Sequence, residues 1–196
     1  NGGNSGQLPH AALITHNMRN FSLRGCTFTE IGTNGAQLRD SNTRVHIYDC
    51  RFENIGMSAL MVGNPTTAWE KPENRNININ IINNLFCHIG YSYPTAVGIY
   101  IGMVDGLKLT HNTIRETAYS AVSIGWGWSL VGYELGEKVN IRDAEVAYNR
   151  ITDYMQLLRD GAAMYVLGAN CTADRGGQFN FMHDNYAQRE LFCDAS

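Results

Sequence analysis

Asp160 stands in the stretch RDGAAMY (residues 159–165), beside a glycine and at the start of an alternating apolar segment. A carboxylate so placed can pass a proton or attack an electrophilic carbon. Aromatic side chains supply the flat faces against which a sugar ring packs. Trp126 and Trp128 alternate with Gly125 and Gly127 in SIGWGWS (residues 123–129). Together with Tyr119, Tyr165 and His88 they form the set expected to touch such a ligand. Acid chemistry on a glycosidic bond needs a second carboxylate. Glu116, Asp105 and Asp153 are the candidates in that order, and Glu134 or Glu137 could arrive from a loop. The plainer reading of Asp160-Gly161 is a turn whose carboxylate accepts backbone hydrogen bonds.

These side chains are separated in sequence, so repeating elements must bring them together. A template of apolar-x-apolar-x-x-(Asn, Cys or Asp)-x-apolar recurs six times. Its anchors are Cys26, Cys50, Asn84, Asn112, Asn149 and Asp184, spaced by 24, 34, 28, 37 and 35 residues. A second apolar segment follows each of the first five anchors: 36–38, 59–62, 97–101, 121–124 and 162–167. Each repeat therefore holds about three short strands. One repeat cannot bury its own apolar face, but stacked repeats can, and stacked asparagines can form a hydrogen-bonded ladder. The expected fold is all-β: a parallel solenoid of about six coils, a single domain over 1–196. Residues 1–15 would be a lead-in loop or partial coil, and 64–75 and 128–143 groove-side insertions. The opening NGGNSGQLPH reads as a loop met mid-protein, and a fragment of a longer helix is the expectation.

Stacking turns this alignment into geometry, because equivalent residues on neighbouring coils lie about 4.8 Å apart. Four residues past the anchor runs the column Glu30, Asn54, His88, Glu116, Asp153. Glu116 and Asp153 would be one coil apart, which fits the separation of about 5–5.5 Å in retaining glycosidases; two coils fit the inverting range of about 6.5–9.5 Å. The bland alternative is that the whole column caps turns. Aligning Gly127 with Gly168 makes Tyr119 the equivalent of Asp160 one coil earlier. The two indoles share one side of their segment. An outward aromatic platform is expected, with Trp69 of the 64–75 insertion adding to its rim.

Composition narrows the classes. Charged residues make up 17% of the chain, the net charge is −3, and there is no basic run, so no nucleic-acid partner is expected. No apolar run reaches the roughly 18 residues of a membrane span. The five cysteines show no CxxC, and His10, His16, His46, His111 and His183 show no ligand spacing, so no metal or cofactor is expected. Cys26 and Cys50 read as stacked interior thiols. A Cys171–Cys193 disulfide is conceivable.

The repeat resembles that of the right-handed parallel β-helix proteins, the pectate-lyase-like superfold. YSAVSIGWGWS (119–129) followed by MQLLRDGAAMYVLG (155–168) is similar to a motif pair of β-helix glycoside hydrolases near family 141, whose activities include α-fucosidase and xylanase. The resemblance implies that Asp160 is a catalytic carboxylate. Ala162 and Ala163 depart from the pattern, where a further glycine is common. The expectation is a glycoside hydrolase module acting on a polysaccharide or glycan, extracellular or periplasmic, with flanking coils as further partners. The alternatives are a non-catalytic carbohydrate-binding or structural β-helix and, behind it, a polysaccharide lyase.

Overall fold

The computed structural model describes residues 10–63, 74–102, 104–125, 141–167 and 180–189. Strands follow one another in threes. The first coil is β1 (Ala11–Thr15), β2 (Arg19–Arg24) and β3 (Thr27–Ile31), and the second β4 (Asn34–Leu38), β5 (Thr43–Tyr48) and β6 (Arg51–Ile55). The third is β7 (Leu60–Val62), β8 (Asn76–Ile82) and β9 (Leu85–Ile89). Then come β10 (Ile99–Ile101), β11 (Val104–Thr110) and β12 (Thr113–Thr117), and β13 (Val122–Ile124), β14 (Arg142–Ala147) and β15 (Arg150–Thr152). The sixth is β16 (Met164–Val166), β17 (Phe181–His183) and β18 (Tyr186–Gln188). No α-helix occurs among the described residues.

Every third strand pairs in parallel, giving three six-stranded sheets. Sheet A takes the first strand of each coil, sheet B the second and sheet C the third. In-register pairing stacks like on like, so inward positions form columns. Ala36, Leu60, Ile99 and Val122 are one such column in sheet A, all fully buried. In sheet C, Phe28, Phe52 and Phe86 stack ring on ring with centroids 4.7 and 4.9 Å apart. Burying side chains of this size is worth about 1.5–3 kcal/mol each.

The anchor column is a polar spine inside this apolar core. Asn84, Asn112 and Asn149 are buried, and each amide nitrogen donates to the amide oxygen of the next coil at 2.9–3.0 Å. That oxygen also accepts from the preceding asparagine's main-chain N–H at 3.0 Å. Asparagine suits the position because one short side chain offers two donors and an acceptor. The last member is Asn185, not Asp184. Arg150 pairs with Tyr186, and Asn149 donates to Asn185. Asp184 is instead the exposed turn residue before the anchor, with a φ of 50°. Two adjacent polar residues both satisfied the sequence template, and the pairing chose the second. A shorter polar pair, Asn42 and Asn76, bonds in the same way at 2.9 Å at the corner between sheets A and B.

The column Glu30, Asn54, His88, Glu116, Asp153 also takes its form from the backbone. All five residues are left-handed, with φ between 52° and 58°. Each sits inside or at the end of a sheet C strand and resets its alternation. Phe52 and Ile55 therefore both point inward although three residues apart, as do Phe86 and Ile89. The column is a bend within the sheet rather than a turn cap.

Connections from sheet C to sheet A vary in length. The coil-to-coil offset is 28 in sheet C at Leu85↔Thr113 but 23 in sheet A at Ile99↔Val122. It is 37 at Thr113↔Arg150 and 42 at Val122↔Met164. The connection before β16 is thus five residues longer than the one before β13. That extra length carries Asp160.

Candidate functional site

The long connection folds back over the short one beneath it. Main-chain N–H groups of Met155, Gln156 and Leu157 donate to the carbonyls of Tyr119, Thr117 and Ala118 at 3.0 Å. The Arg189 guanidinium holds the Met155 carbonyl at 2.9 Å. Further on, the Ser120 hydroxyl accepts from the Ala162 N–H at 3.2 Å. Gly161 is wedged against this floor. A Cβ there would lie 2.5 Å from the Ser120 hydroxyl, 2.6 Å from the Met155 sulfur and 2.9 Å from the Tyr119 ring. The glycine beside Asp160 is thus explained by close packing.

Asp160 is exposed at the rim of this connection. Tyr119 lies half-buried below it. Burial, then the Asp160 charge, then Tyr165 push the Tyr119 phenol above its ordinary range. Tyr119 packs on Tyr100, Met61 and Val97 on the outer face of sheet A. Tyr165 belongs to the same outward column, in register with Ser123 and Tyr100. One carboxylate and two phenols therefore share a neighbourhood outside sheet A. Tyr119 is not the register equivalent of Asp160, however. The sheet A offset is 42, which aligns Gly161 with Tyr119 and leaves Asp160 in the longer connection.

Glu116 and Asp153 fall in a second neighbourhood, on sheet C. The β12–β15 register makes them neighbours one coil apart. Glu116 accepts from the Arg115 guanidinium at 2.6 Å, and the Cys87 thiol lies 3.8 Å from it. His88 is exposed and stacks on Tyr91 with centroids 4.1 Å apart. Burial, Glu116, Cys87 and Asp153 push the Tyr91 phenol up. Tyr91 was invisible as a site residue in the sequence; its only signal is its place three residues after His88. Asp105 joins neither group. It is half-buried on sheet B, paired with Ile77 and Arg142. Trp126, Trp128, Trp69, Glu134, Glu137, Cys171 and Cys193 lie outside the described residues. Among the described residues no group of three or more His, Cys, Asp or Glu is placed to hold a metal ion.

The buried thiols carry a pH dependence. Burial is the main cause raising Cys50 and Cys87; a backbone hydrogen bond from Cys26 opposes it at Cys50, and the Glu116 charge adds to it at Cys87. Above the ordinary thiol value of 9.0 the unfolded chain releases these protons while the folded chain keeps them. Folding stability is then expected to fall as pH rises. A urea midpoint that is unchanged between neutral pH and pH above 9.0 would contradict this.

Three parallel sheets, a buried asparagine ladder and three strands per coil describe a solenoid. The family profile of the right handed beta helix region matches residues 11–184. The chain belongs to that family. The right-handed parallel β-helix accounts for nearly every described strand. No curated protein matches the sequence. Among solved structures, a protein named "Glycoside hydrolase" aligns with 82% of this β-helix at a TM-score of 0.63 and 22% identity. The chain spans 27% of that structure's length. At that identity the likeness concerns the fold.

Proposed function

We propose that this β-helix is a carbohydrate-active module that hydrolyses a polysaccharide, with Asp160 as one member of an acid/base pair. The observation behind this reading is the convergence of the exposed Asp160 carboxylate with the Tyr119 and Tyr165 phenols outside sheet A. A carboxylate between aromatic surfaces can bond a sugar hydroxyl or act at the anomeric centre while the rings pack on the sugar. In hydrolysis one acid protonates the glycosidic oxygen. The other activates water or attacks the anomeric carbon, and the leaving sugar departs with the proton. Glu116 and Asp153, one coil apart on sheet C, are the candidates for the second role. The structurally similar glycoside hydrolase agrees in kind. An extracellular or periplasmic setting belongs to the same proposal.

A second reading is glycan binding without cleavage. It is favoured by the division of the acids, since Tyr119 responds to Asp160 whereas Tyr91 responds to Glu116 and Asp153. A panel of neutral and acidic polysaccharides separates the two readings. New reducing ends with at least one of them are expected. Retardation in a glycan-containing gel with no reducing ends from any of them would establish the second reading instead.

A further inference from the structure

We propose that Cys26 and Cys50 form an oxidation-dependent staple between the first two coils. The two residues occupy the anchor column, where the four later coils carry asparagine. Pairing at Arg24↔Tyr48 and Thr27↔Arg51 places them directly opposite one another. Both thiols are free, Cys50 buried and Cys26 half-buried. Each thiol points the same way, toward the carbonyl two residues back: Cys26 to Arg24 at 3.6 Å and Cys50 to Tyr48 at 3.4 Å.

The geometry is near that of a disulfide. Parallel in-register neighbours stand about 4.8 Å apart, inside the Cα range of 4.4–6.8 Å that disulfides span. Closure must draw the Cβ atoms to about 3.5–4.5 Å, so the bond forms with a small approach of the first coil toward the second. A bond formed under such strain is readily reduced again.

The chemistry requires an oxidant such as a peroxide. The more exposed Cys26 thiolate attacks one peroxide oxygen, the O–O bond breaks, and Cys26 becomes a sulfenic acid. The Cys50 sulfur then attacks the Cys26 sulfur. The S–S bond forms, the S–O bond breaks, and water leaves with the Cys50 proton. Two thiols lose two electrons and two protons, and one hydrogen peroxide becomes two waters.

The test treats the folded chain with hydrogen peroxide and counts thiols in denaturant. The count is expected to fall by two from the chain's five. Tryptic cleavage after Arg24, Arg39, Arg44 and Arg51 isolates Cys26 in peptide 25–39 and Cys50 in peptide 45–51. These two peptides are expected as one cross-linked species that separates on reduction. In Cys50→Ser, Cys26 is expected to stop at the sulfenic acid and to be captured by dimedone. Linkage of either residue to another cysteine, or persistence of both thiols in folded wild type while the urea-unfolded chain is oxidised, overturns the proposal.

Discussion

Asp160→Asn is expected to lower the rate of glycan cleavage by about 10²–10⁴-fold, the usual contribution of a positioned acid or base. The amide keeps the shape of the carboxylate but can neither take nor deliver the proton. Asp160 is exposed, so the change should alter stability by no more than about 0.5 kcal/mol. Affinity for the glycan should change little, because the Tyr119 and Tyr165 surfaces remain. Loss of rate with retained affinity is the signature of a catalytic group. The same assay ranks the partner acids. Glu116→Gln and Asp153→Asn are the variants to compare, and Asp105→Asn on sheet B should leave the rate unchanged. Unaltered cleavage by Asp160→Asn would remove Asp160 from the mechanism altogether.

Asn112→Ala is expected to be the most damaging single change to the fold, costing about 3–5 kcal/mol. Its amide nitrogen donates to the Ile81 carbonyl at 2.9 Å and to the Asn149 side chain at 3.0 Å. Its oxygen accepts from both the main-chain and side-chain nitrogens of Asn84 at 3.0 Å. Alanine removes all of these, and no water reaches a residue that is 1% exposed. Each polar group left buried and unpaired costs about 1–3 kcal/mol. A domain's whole stability is only about 5–15 kcal/mol. Asn185→Ala is the internal comparison. Asn185 is half-buried on the last described coil, where water can replace part of what is lost. Its cost should be nearer 1 kcal/mol, within the net range of an ordinary hydrogen bond. Urea midpoints of the two variants measure the difference. Equal costs at the two positions would mean that the spine does not depend on dryness.

The same spine explains why the architecture could be read from the sequence. A ladder works only if each coil puts the same kind of side chain in the same place. Cys50, Asn84, Asn112 and Asn149 therefore recur in step with the apolar columns beside them. Where two polar residues adjoined, as at Asp184 and Asn185, only strand pairing could choose between them. The bend at Glu30, Asn54, His88, Glu116 and Asp153 was harder to see, because none of these residues is glycine. Its trace was the interval of three between Phe52 and Ile55 and between Phe86 and Ile89. The surroundings of Asp160 were less legible: Gly161 reads as a turn residue in the sequence, whereas its close packing against Ser120, Met155 and Tyr119 is what requires a glycine there. The register to Tyr119 is missed by one residue because Gly127 and Gly168, which set it, lie 41 residues apart, whereas the sheet A strands pair at an offset of 42. Matching glycines do not fix an offset; strand pairing does.

The ladder also gives the molecule a direction. In Asn84, Asn112 and Asn149 the amide oxygen accepts from the preceding coil, and the nitrogen, besides donating to a carbonyl of that coil, donates to the asparagine of the following one. Their dipoles line up head to tail along the solenoid axis, and each polarises the next. The interior is therefore electrically asymmetric although its apolar lining is nearly the same from coil to coil. A segment that met the row at its oxygen end would have to bring donors, and one that met its nitrogen end, acceptors. Reversing a coil would set like poles together.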